Sequence, residues 1–259
     1  MSNGNLSANS LFHFTNTLDK LQSILIDGFW PRYSLETWDI IIDNPMEYAF
    51  PMVCFCDIPL TQTRKHTDLY GQYGIGLDKR WGIRKGITPV LYAYKGSRTT
   101  ALLAAIYDDM INKDKLVPLD EKLHKDFMDF IMFTKPYSGP IWRDGNYIPG
   151  EIRFYDEREW RYIPDIIMTE GISLLYVNNA IYKHEFLNDQ YRESQEKLLQ
   201  PYNLVFFPED IRYIIVSSEA EMLSLFTFLD SELTHKYNEL DLQLLKTKII
   251  SVEQIVSDF

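Results

Sequence analysis

The segment MVCFC (52–56) is a continuous apolar run between Pro51 and Pro59, the pattern of a strand buried in a sheet. Other short elements surround it. LFHFT (11–15) alternates and is rich in aromatics, which suits a short strand. In the TLDKLQSILIDG that follows, Leu18, Leu21 and Leu25 recur at helical spacing, with Thr17 able to cap the start and Gly28 the end. TPVLYAY (88–94) is another strand signal, and residues 99–133 read as helical. A loop rich in proline and glycine covers 135–150, and IRFYDEREWRYIP (152–164) alternates around a charged cluster at a strand edge or entry. LVFFPEDIRYIIVSS (204–218) gives two short strands around a turn. A helix opening on the capping box of Ser218 and Glu221 follows, and KIISVEQIVSDF closes with a strand and a short helix. Strands and helices do not alternate regularly, which argues against a doubly wound parallel sheet. The expectation is an α+β protein: a mixed sheet in one domain over 1–259, with a helical insertion at about 99–133.

Composition narrows the function classes. With 46% apolar and 24% charged residues, the 259-residue chain has the makeup of a globular protein, which excludes a disordered one. No stretch reaches the ~18 apolar residues of a membrane span. MSNGNLSANS at the N-terminus has neither a basic segment nor an apolar run, so a frayed start and a soluble, cytoplasmic protein are expected. The formal net charge of −11 disfavours a nucleic-acid partner. The one denser basic patch, Lys79, Arg80, Arg84 and Lys85, reads as a solvated rim around Trp81. Cys54 and Cys56 would share one strand face, where a disulfide is geometrically awkward and two thiols alone make no metal site. They read as buried, apolar-like residues of a reducing compartment.

Three groups carry possible chemistry. His13 and Thr15 lie two apart on a strand, so both point to one face and can together hydrogen-bond a sugar diol or phosphate edge. The plainer alternative is a half-buried histidine satisfied by backbone. In DEREWR, a strand would put Glu157, Glu159 and Arg161 on one face and Arg158 and Trp160 on the other. Two carboxylates there can divide acid and base work, with Arg161 fixing one of them or pairing with a phosphate. A surface ladder of weak salt bridges is the alternative. In YGQYG, glycines permit close backbone approach to a ligand and Tyr70 and Tyr73 offer flat faces for stacking a ring, against a purely structural turn. His66 has no spacing partner, and His124, His184 and His235 read as solvent-facing. No GxSxG elbow, HExxH or P-loop is present.

In this order, LFHFT with its helix and DGF, CFCDIPL, YGQYGIGL with KRWGIRKGITPVLY, and FYDEREWRYIP resemble the AbiGi family of bacterial abortive phage-infection proteins over roughly residues 11–164. More distantly, strand-His-x-Thr-helix-Gly resembles the first motif of ADP-ribosyltransferases, whose His-Gly-Thr holds the nicotinamide-side ribose of NAD. Phe14 stands here where that motif has glycine. CFCDIPL is similar to the segment before the second motif of DarT-like enzymes, and Glu-x-Glu to the third motif of arginine-type transferases. The resemblance implies an ADP-ribosyltransferase-like fold in which His13, Phe14 and Thr15 border the NAD slot. Tyr70 or Tyr73 would stack on nicotinamide, and Glu159 would be the catalytic acid with Glu157 beside it. His13 and Glu159 would then face one cleft. The implied protein uses NAD as co-substrate, without a metal, to modify a macromolecule in phage defence. The alternative is a non-catalytic binding module, an antitoxin or sensor, that neutralises a partner protein.

Overall fold

The computed structural model describes residues 7–37, 47–112, 121–143, 146–148, 150–165 and 181–258. LFHFT lies in β1 (Ser10–Thr15). Helix α1 (Leu18–Asp27) follows, with Thr17 Oγ1 accepting from the Lys20 amide and Gly28 ending it at φ 82°. Strand β2 (Arg32–Thr37) runs antiparallel to β3 (Glu47–Cys56), which contains the apolar run. Then come α2 (Arg64–Tyr70), β4 (Tyr73–Asp78), α3 (Lys79–Arg84), β5 (Thr88–Pro89) and β6 (Leu91–Ala93). The expected insertion is α4 (Arg98–Asn112) and α5 (Glu121–Met132), leading into β7 (Thr134–Pro136), which pairs in parallel with β6. A hairpin of β8 (Trp142–Arg143) and β9 (Asn146–Tyr147) precedes β10 (Glu159–Tyr162). The chain ends with β11 (Ile181–Tyr182), α6 (Lys183–Phe186), α7 (Asp189–Lys197), β12 (Ile211–Val216), α8 (Glu219–Glu232), α9 (Glu239–Lys246), β13 (Ile249–Ser251) and α10 (Val252–Asp258).

The main sheet runs β13-β12-β4-β1-β3-β10-β5, with β2 and β11 also pairing on β3. Only the β12–β13 pair in this path is parallel among the described residues, so the fold is α+β with a mixed sheet, as expected. Alternation along the strands gives the sheet two faces of different chemistry. Leu11, Val53, Phe55, Ile75, Leu77, Ile214 and Val216 face one side, where α1, α8 and α9 complete the largest core cluster. Phe12, Cys56 and Ile215 face the other, with Ile255 of α10 over them. On that second face Phe50 and Met52 pack against Leu103, Phe127, Ile131 and Met132 of the insertion.

Three local readings change. YGQYG is not one ligand-facing turn: from Tyr73 it enters the central strand β4, which also carries Gly76. A Cβ on Gly76 would lie 2.6 Å from the Phe12 ring and one on Gly74 2.9 Å from the Phe14 ring, so these glycines make room for two aromatics of β1. Over 204–218, β12 is the one regular strand, and Leu204 forms only an isolated pairing with Phe29. Residues 7 and 8 are not frayed: Ser7 Oγ and the Ala8 amide donate to the buried Asp57 carboxylate, at 2.8 and 2.9 Å. The fraying expected for residues 1–6 and the side chain of His124 lie outside the described residues. His184 and His235 are exposed. The basic patch sits on α3, where Lys79 pairs with Asp57, Arg80 with Asp78 and Arg84 with Asp210, while Trp81 is buried.

No helix among the described residues is long and apolar enough to cross a membrane.

Candidate active site

The ladder between β1 and β3 holds a single pairing, Phe12 with Cys56, among the described residues. Next to it, on the Phe12 face of the sheet, lies a cavity of about 780 Å³. Its walls include Phe12, His13 and Phe14 of β1, Cys54 and Cys56 of β3, His66 and Tyr70 of α2, Lys135 of β7, and Glu157 and Glu159. Each stretch singled out in the sequence therefore contributes a wall residue, from positions 13 to 159.

The deep wall is a chain of charges. Glu159 and Arg161 alternate onto the same face of β10, opposite Cys56 and Cys54. Arg161 is fully buried: Nε donates to Glu159, one Nη donates to the Met132 carbonyl at 2.7 Å, and the other lies 3.0 Å from both Glu36 oxygens. Lys135 Nζ donates to the remaining Glu159 oxygen and, at 2.8 Å, to Glu157 Oε2. The same ammonium lies 4.6 Å from the Phe154 ring centroid. The Tyr70 hydroxyl donates to Glu157 Oε1. Three carboxylates thus meet two cations in a buried site, where such pairs interact more strongly than at a surface.

The chain turns sharply to bring both glutamates inward. Residues 154–157 form a 3-10 turn, and Arg158 adopts the left-handed conformation at φ 48° before β10 starts. A continuous strand over 157–161 was the expectation; the strand begins only at Glu159, yet Glu157 joins Glu159 on the same ammonium. The turn is pinned from two sides. The Asp57 amide donates to the Arg158 carbonyl at 3.0 Å, and the Glu159 amide donates to the Tyr92 hydroxyl at 2.8 Å.

Burial would raise the Glu159 carboxyl, but Arg161 and Lys135 outweigh it and hold it down at about 2. Burial acts to lower Lys135, and Glu159, Glu157 and Glu36 together push it above its usual value instead. The Tyr70 hydroxyl is driven well up by burial and by the Glu157 charge. Burial likewise pushes both thiols up, so Cys54 and Cys56 are free and protonated rather than nucleophilic.

Not every expected site residue reaches this wall. His13 pairs with Ile75, so its side chain leaves the sheet on the face opposite Glu159. Its ring sits 5.1 Å from Phe29 and 5.8 Å from Phe55, and Nδ1 donates to the Cys54 carbonyl at 2.8 Å. His13 therefore closes the junction of β1 and β3 and touches the cavity there, instead of facing Glu159 across a cleft. Burial lowers its pKa, outweighing the Cys54 hydrogen bond that raises it. Thr15 is buried on that same face and is absent from the cavity wall. Tyr73 is turned away as well: its hydroxyl donates to Glu221 Oε1 at 2.9 Å, in the capping box of α8. Of the two tyrosines only Tyr70 borders the cavity. Arg161 fixes a carboxylate, the first of its two expected roles, and its complete burial leaves it no phosphate to meet.

Lys135, Glu36, Tyr92 and Asp57 escaped the sequence reading. The available signal for Lys135 was weak, a single lysine just after the apolar run FIMF. For Glu36 it was the alternation of RYSLET, which places Glu36 with Ser34 on one strand face.

The family model for "Putative abortive phage resistance protein AbiGi, antitoxin" matches residues 28–217. An abortive phage resistance protein AbiGi from Lactococcus lactis subsp. cremoris is 31% identical over 253 residues, 90% of this chain and 100% of the relative. The chain belongs to the AbiGi family. No solved structure matches it. AbiGi membership places the protein among phage-resistance proteins, and the family match spans β3, α2, β4, the insertion and β10, hence most of the charged wall.

Proposed function

We propose that this AbiGi protein acts in phage defence as an NAD-dependent ADP-ribosyltransferase, with the cavity under β1 and β3 as its NAD site. The observation that carries the reading is convergence: Phe14, Cys56, Tyr70, Glu157 and Glu159, from separate stretches of sequence, line one cavity of about 780 Å³. That size lies within the range of small-molecule and cofactor sites, about 300–1,000 Å³. The residue types suit such a ligand. Phe12, Phe14 and Tyr70 offer rings for a planar base, the glutamates accept from ribose hydroxyls, and exposed Lys95 stands in the wall as a cation for a diphosphate, whereas Lys183 is paired with Glu47.

The chemistry is cleavage of the bond between ribose C1′ and the nicotinamide nitrogen, whose electron pair departs with the neutral leaving group. Positive charge develops on the ribose, and an ionised carboxylate beside it stabilises that charge. An acceptor lone pair then forms the new bond to C1′, and its proton passes to a carboxylate or to solvent. Holding the sugar against the glutamate wall converts much of this into positioning.

A second reading has its own observation. Both Glu159 oxygens are already held by cations, which suits a rigid, non-catalytic module, and the family model describes an antitoxin. Such a module would bind and neutralise a partner protein. Incubation of the purified protein with NAD, with and without bacterial lysate as acceptor, separates the two by release of free nicotinamide. Transferase action predicts release that disappears in the Glu157→Gln/Glu159→Gln double variant. No release above that variant, with or without lysate, would favour the binding module.

A further inference from the structure

Both carboxylates line the cavity, but their partners differ in kind. Glu159 is held on both oxygens by cations, and one of them, Arg161, has no exposed surface and, among the described residues, Glu36 as its other carboxylate. Withdrawing Glu159 would leave a buried guanidinium short of countercharge, a costly state. Glu157 shares the Lys135 ammonium through one oxygen, while its other oxygen accepts from the neutral Tyr70 hydroxyl on half-buried α2. Exchanging a phenol for a ligand hydroxyl swaps one neutral donor for another, with little electrostatic change.

From this asymmetry, and resting on the NAD reading above, we infer that Glu157 is the carboxylate that meets the ligand's ribose. The Tyr70 hydroxyl is the placeholder that the sugar displaces, and Glu159 and Lys135 are positioning residues. The assignment reverses the order implied by the Glu-x-Glu resemblance, in which the second glutamate is catalytic. Lys135 has a distinct part in it. Two carboxylates this close repel each other, and the ammonium they share offsets that repulsion. The groups around them are Glu36 from β2, Cys54 and Cys56 from β3, His66 and Tyr70 from α2, Tyr92 from β6, and Arg161 from β10.

The test compares Glu157→Gln, Glu159→Gln and Tyr70→Phe in the full chain by melting temperature and by calorimetric titration with NAD. Glu157→Gln is expected to melt within about 3 °C of wild type while losing at least about tenfold in NAD affinity. Tyr70→Phe, with the competing donor gone, is expected to bind NAD at least as tightly as wild type. Glu159→Gln is expected to melt about 6 °C lower or more. Should it not fold, Glu159→Asp, which keeps the charge, supplies the comparison and is expected to recover most of the loss. The assignment is overturned if Glu157→Gln binds NAD as wild type does, or if it melts as low as Glu159→Gln. A wild type that takes up no NAD overturns the NAD reading itself, and the melting order then decides separately which glutamate anchors the core.

Discussion

The Lys135 ammonium lies 2.8 Å from Glu157 Oε2 and also bonds Glu159, so one cation at the end of the helical insertion joins two carboxylates brought inward by a left-handed turn at Arg158. All three side chains are at least about nine-tenths buried. Removing the cation leaves two buried negative charges facing each other.

Lys135→Met is therefore expected to cost about 3–5 kcal/mol of stability, the range for breaking a buried pair by deleting one partner. Urea denaturation measures it. Adding Glu157→Gln to Lys135→Met should restore part of the loss, because one uncompensated carboxylate disappears. Equal midpoints for wild type and Lys135→Met would show that the ammonium contributes nothing.

The acid limb of stability carries the mark of Glu159. Its carboxyl falls from 4.5 to about 2 in the folded state, held by Arg161 and Lys135 against the opposing effect of burial. A lowered carboxyl stabilises the fold fully above the unfolded value and loses that contribution as pH falls through the folded one. The urea midpoint should drop between about pH 4.5 and pH 2, and Glu159→Gln should flatten that slope. A variant with an unchanged slope would place the acid sensitivity elsewhere.

His13 is expected to act on stability more than on any ligand. Its ring packs on Phe29 and Phe55 and its Nδ1 satisfies the Cys54 carbonyl. His13→Ala should cost about 2–4 kcal/mol, from an orphaned carbonyl and a cavity in the core. Burial also lowers the His13 pKa, so this group's contribution is lost as pH falls below the unfolded value of 6.5. Chemical denaturation of wild type and variant at pH 7.5 and pH 5.5 checks both statements; a His13→Ala midpoint equal to wild type would contradict the first.

Gly76→Ala tests the packing of β4 on β1. The added methyl meets the Phe12 ring at 2.6 Å, closer than side chains tolerate, and Tyr213 stands at 3.1 Å on the other side. Overpacking of this kind costs about 1–3 kcal/mol. Thermal unfolding should show a clear loss, and Gly86→Ala, whose Cβ meets nothing within 4 Å, separates crowding from the backbone strain expected there at φ 76°.

Local signals in the sequence were good guides where one physical rule dominated. Thr17, Gly28 and the Ser218–Glu221 capping box mark helix ends through hydrogen bonds within a few residues, and each holds. The buried run at 52–56 and the insertion near 99–133 follow from apolar patterning alone. Which face a residue takes within the assembled sheet was less legible. His13 and Glu159 each lie on a strand, but the register through Cys54 and Cys56 sends them to opposite faces, and register is a long-range property. Gly74 of YGQYG likewise fitted a ligand-facing turn because its partner, Phe14, is sixty residues away. Lys135 stayed hidden for the same reason: a single lysine shows nothing until folding sets it between Glu157 and Glu159, more than twenty residues on.

The most direct measurement is a crystal structure of the wild-type protein grown with saturating NAD. The expected result is a dinucleotide in the cavity under β1 and β3, its nicotinamide-side ribose within hydrogen-bonding distance of Glu157 and the Tyr70 hydroxyl moved off that carboxylate. A cavity without NAD under those conditions, with Tyr70 still donating to Glu157, would contradict the proposal.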